Sequence, residues 1–120
     1  MKNLSAVLLA LSTFSANAVW LNTTGEVKHI ATYGTKNTIL VTLGDSNGET
    51  LAGRAVSACS NTTSFAISHN ISEEARNRMF SMLLAAKASG QKVTLAYNDV
   101  GNCEPWDSNS SVYRKIVRIQ

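Results

Sequence analysis

The stretch Ser72–Gly90 (SEEARNRMFSMLLAAKASG) carries the one long helical pattern of the sequence, and it limits what the rest of the chain can form. Ser72 is a good N-cap, because its hydroxyl can accept a hydrogen bond from a free backbone N–H of the first turn. Glu73 and Glu74 place negative charge where the helix dipole favours it. Gly90 ends the helix, since glycine adopts the left-handed C′ conformation at no steric cost. The sequence therefore predicts a single helix with defined ends.

Two apolar faces are expected on this helix. The main stripe recurs at helical spacing and should face the core; it consists of Ala75, Met79, Met82, Leu83 and Ala86. Phe80 and Leu84 lie more than a quarter-turn away from that stripe. Two interpretations of this second patch stay open: strands or loops cover it, or it meets another subunit.

Short segments rich in β-branched residues surround the helix. We expect strands before it at Glu26–Tyr33, Thr38–Leu43, Thr50–Cys59 and Thr63–Ser68, and after it at Lys92–Tyr97 and Val112–Gln120, with a long loop at Asn98–Ser111. One helix placed late among a few antiparallel strands is typical of a small barrel of the OB type, capped by that helix. The predicted fold class is mainly β with one helix (α+β), and a flat α+β sandwich is the alternative.

The first 18 residues have the features of a signal peptide. Lys2 supplies the positive charge, Ala6–Leu11 is a short apolar run, and Ala16-Asn17-Ala18 is an A-x-A cleavage site. A buried N-terminal helix is the alternative interpretation. We expect a single domain over residues 19–120, secreted or periplasmic after cleavage, and no membrane span within it.

The chain has two cysteines, Cys59 and Cys103. In an exported protein a small, even number of cysteines usually indicates a disulfide. Two free buried thiols are the alternative. A bridge between these positions would stabilise a small domain substantially.

Charge and motifs argue against several function classes. The formal net charge of +3 is too mild to favour nucleic acid, which needs a clustered basic patch. Metal-ligand and cofactor motifs are absent from the sequence, and neither His29 nor His69 belongs to a nucleophile motif. Asp99 and Glu104 are a weak candidate for a glycosidase-like pair. We therefore expect no enzyme activity and no cofactor.

The segment Asn98–Ser111 (NDVGNCEPWDSNSS) is the best candidate for binding. Trp106 stands beside Asp107 and Asn109, and an indole face next to short polar groups suits a sugar. A disulfide at Cys103 would order this segment before binding. In the alternative interpretation Trp106 caps the barrel end and the polar residues serve turns.

From the third strand onward the sequence resembles the B subunits of bacterial toxins that carry one active subunit on a ring of five binding subunits, above all the subtilase-cytotoxin and pertussis-like branch. The resembling residues are Cys59, Phe65–Ile67, Glu74–Tyr97 (EARNRMFSMLLAAKASGQKVTLAY), Cys103 and Val112–Ile119 (VYRKIVRI). They make up about half of the chain that follows residue 18.

The resemblance implies an OB fold, binding to cell-surface glycans, assembly as a homo-oligomer and a separate enzymatic A subunit as partner. It gives Phe80 and Leu84 a role in oligomer contacts. By region it adds Tyr33, Thr35 and Thr38 to Trp106, Asp107 and Asn109 as candidate glycan-binding residues. The prediction is a secreted glycan-binding subunit; the alternative is a monomeric secreted or periplasmic domain that binds a protein.

Overall fold

The computed structural model describes residues 19–120, so the predicted signal peptide at residues 1–18 lies outside the described range. Seven strands and one helix form in that range. They are β1 (Trp20–Tyr33), β2 (Lys36–Gly44), β3 (Thr50–Leu51), β4 (Phe65–Ile67), α1 (Glu73–Ser89), β5 (Lys92–Asn98), β6 (Cys103–Trp106) and β7 (Asn109–Ile119). The fold is mainly β with a single helix, as the sequence predicts.

Five of the strands close into a barrel. β1 pairs with both β2 and β5, β2 pairs with β4, and β7 pairs with β4 and β5, which gives the cyclic order β1-β2-β4-β7-β5. The helix lies between β4 and β5 in the chain, as in an OB-type barrel. The β4–β7 pair is parallel, whereas we expected antiparallel strands throughout. β7 reaches β4 through the helix, β5 and β6, so no hairpin forces these two strands to run in opposite directions.

The long first strand closes the barrel. Its first half pairs with β5, from Trp20 opposite Asn98 onward, and its second half pairs with β2 as far as Tyr33 opposite Lys36. The register with β2 shifts between Val27 and His29. An irregularity of this kind bends a strand and lets it pass from one side of a barrel to the other.

The predicted helix ends are confirmed. The Ser72 hydroxyl accepts a hydrogen bond from the Ala75 N–H at 3.1 Å, and Gly90 has a φ of 71°. The buried face is narrower than expected: Leu83 and Ala86 are buried, but Met82 is 45% exposed. The helix contacts the barrel along β1, β4 and β5. Met82 lies about 100° around the helix from Leu83, outside that line of contact.

The second apolar patch of the helix is incompletely covered. Phe80 is half-buried, and Leu84 is 49% exposed. In residues 19–120 no helix is long and apolar enough to cross a membrane.

The predicted disulfide is present and links two segments that are far apart in the sequence. Cys59 and Cys103 are bonded, with their Cα atoms 5.6 Å apart. The bridge ties the irregular segment after β3 to the start of β6.

The loop predicted at Asn98–Ser111 is wrong, because its second half forms β6 and a tight hairpin with β7. β6 pairs with β7 alone, and a proline such as Pro105 is tolerated in a strand at such an edge.

Candidate functional site

Two hairpin tips meet at one end of the barrel. The β1–β2 tip holds Gly34 and Thr35, and the β6–β7 tip holds Asp107 and Ser108. An ion pair joins them, with Lys36 Nζ 2.6 Å from the Asp107 carboxylate. Asp107 has a φ of 52°, a left-handed conformation that aspartate tolerates better than most residues. The tips are therefore held together by a specific contact between distant parts of the sequence.

Three aromatic rings pack beside this contact. The Trp106 ring lies edge-to-face with Tyr33 at 4.9 Å and with Tyr113 at 5.7 Å between ring centres. Lys36 Nζ is 4.8 Å from the centre of the Trp106 ring. Trp106 is half-buried, whereas Tyr33 is 44% exposed. Tyr33 is thus the more exposed ring, and the Trp106 ring packs against it.

A cleft of about 300 Å³ opens between the two hairpins. Most of its lining residues have polar side chains, and they come from β2, from β6, from the β1–β2 and β6–β7 tips, and from the residues after β4. The lining residues are Thr35, Lys36, Asn37, Thr38, His69, Pro105 and Asp107. A cleft of this size lies at the lower end of the range of small-molecule sites.

The carboxylate of Glu104 is completely buried behind the cleft. Its Oε1 atom accepts hydrogen bonds from the Thr38 hydroxyl at 2.9 Å and the His69 backbone N–H at 3.0 Å, and it contacts His69 Nδ1. Among the residues that the structure describes, Oε2 has no hydrogen-bond partner, and Lys115 Nζ lies 3.9 Å from it. One carboxylate thus holds two lining residues of the cleft in place.

The electrostatics of this end of the barrel follow from burial and hydrogen bonding. Burial alone would raise the pKa of Glu104, but hydrogen bonds from His69 and Thr38 outweigh it and hold the pKa below its ordinary value. Burial raises the pKa of Tyr113, and the neighbouring Tyr33 and Asp107 raise it further. Glu104 is therefore ionised and Tyr113 is neutral at physiological pH.

Most of the predicted glycan-binding residues lie together. Thr35, Thr38 and Asp107 line the cleft; Tyr33 and Trp106 do not line it, but Lys36, which does, lies over the Trp106 ring, and Tyr33 packs against that ring. Asn109 does not line the cleft. It lies at the start of β7, where its side chain accepts a hydrogen bond from the Ser111 N–H.

Sequence reasoning missed three contributors to the site: Lys36, His69 and Glu104. The sequence pairs Glu104 with Asp99 as a weak candidate, but the two carboxylates have different partners. Asp99 accepts a hydrogen bond from the Val19 N–H and does not line the cleft. In the sequence, Glu104 is only a charged residue between a cysteine and a proline. That pattern does not show whether its side chain is buried or exposed.

No metal cluster occurs in the part of the chain that the structure describes, where no three His, Cys, Asp or Glu side chains converge. Comparisons of the chain with known protein families, with curated proteins and with solved structures find no match. Any function for the cleft must therefore be inferred from its own geometry.

Proposed function

We propose that this chain is a secreted glycan-binding subunit and that the sugar binds in the cleft between the two hairpin tips. The observation that carries the proposal is the half-exposed Tyr33 ring, which packs against Trp106 and whose strand partner, Lys36, lines a cleft of mostly polar residues. The apolar face of a pyranose packs on an aromatic ring while its hydroxyls need directional polar partners. This cleft supplies hydroxyl, ammonium, imidazole and carboxylate groups within one small volume.

The fold preorganises the cleft for binding. The Cys59–Cys103 bridge anchors the start of β6, three residues before Trp106, and the Lys36–Asp107 ion pair joins the tips. Ordering a loop on binding reduces affinity, so a site that is already ordered loses less. This matters for sugars, whose individual contacts are weak.

The exposed helix face supports self-association as part of the proposal. On this face Leu84 is 49% exposed, and the half-buried Phe80 adjoins it one turn away; Met82, which is 45% exposed, lies on the other side of the helix. Large apolar side chains grouped on one helix favour a protein contact. Together with the resemblance to toxin B subunits, this face favours a homo-oligomer, with five copies as the expected number and a separate enzymatic subunit as its partner. The same face would serve the rival function, a monomer that binds another protein.

A glycan array tests the sugar proposal. We expect the wild-type protein to retain a defined set of glycans and Tyr33→Ala to reduce that signal about tenfold, because the stacking surface is lost. Asn109→Ala is the control, since Asn109 lies on the other hairpin at this end of the barrel, bonds within that hairpin and does not line the cleft. The proposal is wrong if the wild-type protein retains no glycan, or if both variants lose the signal equally.

Light scattering tests the assembly. We expect about five copies per particle for the wild-type protein and smaller particles for Leu84→Glu. Val100→Glu is the control, because Val100 is an exposed apolar residue away from the helix. A monomeric wild-type protein would contradict self-association and favour the rival function.

A further inference from the structure

The buried carboxylate of Glu104 decides which hydrogen-bonding groups the cleft presents. An ionised carboxylate can only accept hydrogen bonds. Both of its side-chain partners in the cleft must therefore direct a proton toward it: Thr38 donates its hydroxyl hydrogen, and His69 must carry a proton on Nδ1. If Nδ1 were unprotonated, two lone pairs would face each other in a buried position, which is unfavourable.

This contact leaves one free position on the His69 ring. A neutral imidazole carries a single proton, so a ring protonated on Nδ1 has a lone pair on Nε2. The His69 side chain is 48% exposed and lines the cleft, whereas Glu104 is completely buried. The ring atoms that do not face Glu104 are thus the ones open to a ligand.

We infer that Glu104 is a positioning residue that makes Nε2 of the neutral His69 ring a hydrogen-bond acceptor, so that, at a pH where this ring carries one proton, the cleft selects a ligand group able to donate. The ligand part of this inference rests on the proposed glycan function. Asp107, at the β6–β7 tip, adds a second hydrogen-bond acceptor to the cleft. The chemical class that fits is a neutral sugar that directs a hydroxyl or an acetamido N–H toward His69. A carboxylate or keto oxygen at that position would face the Nε2 lone pair and be disfavoured.

The ring proton can be observed without any ligand. At about pH 8, where an ordinary imidazole is neutral, nitrogen NMR of the wild-type protein should show a protonated Nδ1 and an unprotonated Nε2 for His69. His29, exposed on β1, is the internal reference. Glu104→Gln should weaken this preference, because its amide can either accept from Nδ1 or donate to it. Asp107→Asn should leave the His69 signal unchanged. A proton on Nε2 in the wild-type protein would overturn the inference.

Two substitutions of His69 test ligand selection on the same glycan array. His69→Gln can donate its amide N–H to Glu104 and present its carbonyl oxygen to the cleft, so it should keep most of the signal. His69→Lys can also donate to Glu104, but it presents donors alone and should lower the signal about tenfold or more. Equal glycan signals for the two variants would overturn the inference that His69 selects a hydrogen-bond donor of the ligand.

The two proposals fail in different ways. If the wild-type protein retains no glycan, the proposed function and the ligand selection are both wrong, while the NMR signal still decides whether Glu104 fixes the His69 ring. If glycans are retained but Nε2 carries the proton, the glycan function stands and the role assigned to Glu104 is wrong.

Discussion

The guanidinium carbon of Arg114 lies 4.0 Å from the centre of the Phe65 ring, inside the barrel. The Arg114 side chain is 1% exposed, and it donates hydrogen bonds to the backbone oxygens of Ala52 (2.6 Å), Arg54 (3.0 Å) and Ser64 (3.3 Å). These three carbonyls belong to the segment between β3 and β4, which is largely irregular. A single buried cation on β7 thus replaces the strand pairing that this segment lacks.

Removing this cation should destabilise the protein strongly. Burial lowers the pKa of Arg114, with Tyr97 opposing the effect, so the charge is kept in the core by its contacts. Arg114→Met keeps much of the volume but leaves the carbonyls without donors, and each unsatisfied buried group costs about 1–3 kcal/mol. We expect the free energy of unfolding, measured with urea, to fall by about 3 kcal/mol or more. Arg118→Met, at an exposed cation of the same strand, should change it by less than about 0.5 kcal/mol. Similar losses of unfolding free energy in both variants would contradict the stabilising role of Arg114.

The disulfide should provide a large share of the stability. Its cysteines are 44 residues apart, and the chain-entropy relation gives about 4 kcal/mol for closing a loop of that size. The double variant Cys59→Ser, Cys103→Ser should lose about that much free energy of unfolding in urea. A reductant should lower the stability of the wild-type protein to the same level and leave the variant unchanged. If the reductant has no effect on a wild-type protein whose thiols are shown to be reduced, the bridge does not stabilise the fold.

The stability should fall in acid because of Glu104. Its pKa is lower in the folded protein than the ordinary value of 4.5, so the folded state binds fewer protons than the unfolded state between those two values. The contribution is therefore fully present above about pH 5 and is lost as the pH falls through the lowered pKa. Glu104→Gln should reduce the pH dependence of the urea midpoint below pH 5. Asp107→Asn, at an exposed carboxylate, is the control. An unchanged acid dependence in Glu104→Gln would contradict the prediction.

Local signals predicted the helix well because its ends depend on neighbouring residues. Ser72 bonds to Ala75, and Gly90 adopts a conformation that few other residues favour. β6 was missed because the segment Cys103–Trp106 has a weak strand pattern of its own. It becomes a strand through pairing with β7 and through the bridge to Cys59.

The candidate site was only partly predictable for a similar reason. Trp106 stood out as an aromatic residue beside polar ones, and the resemblance to toxin B subunits added Tyr33 by region; barrel closure brings the two rings into contact. His69 and Glu104 are 35 residues apart, and nothing near either one marks the pair. A buried carboxylate reveals itself only when the surrounding strands are in place, because its burial is a property of the tertiary structure.

Gly53 should tolerate substitution less well than Gly48, although both have positive φ angles, 69° and 79°. A Cβ at Gly53 would lie 2.5 Å from Thr23 Oγ1 and 3.1 Å from the Tyr97 hydroxyl oxygen, whereas a Cβ at Gly48 would meet nothing within 4 Å. Gly48→Ala should therefore cost about 1–2 kcal/mol, the backbone strain alone. Gly53→Ala adds a clash with the Thr23–Tyr97 hydrogen bond, so its loss of unfolding free energy in urea should exceed that of Gly48→Ala by about 1 kcal/mol or more. Equal losses would show that the segment after β3 moves away from β1 and β5 without cost, which the Arg114 contacts oppose.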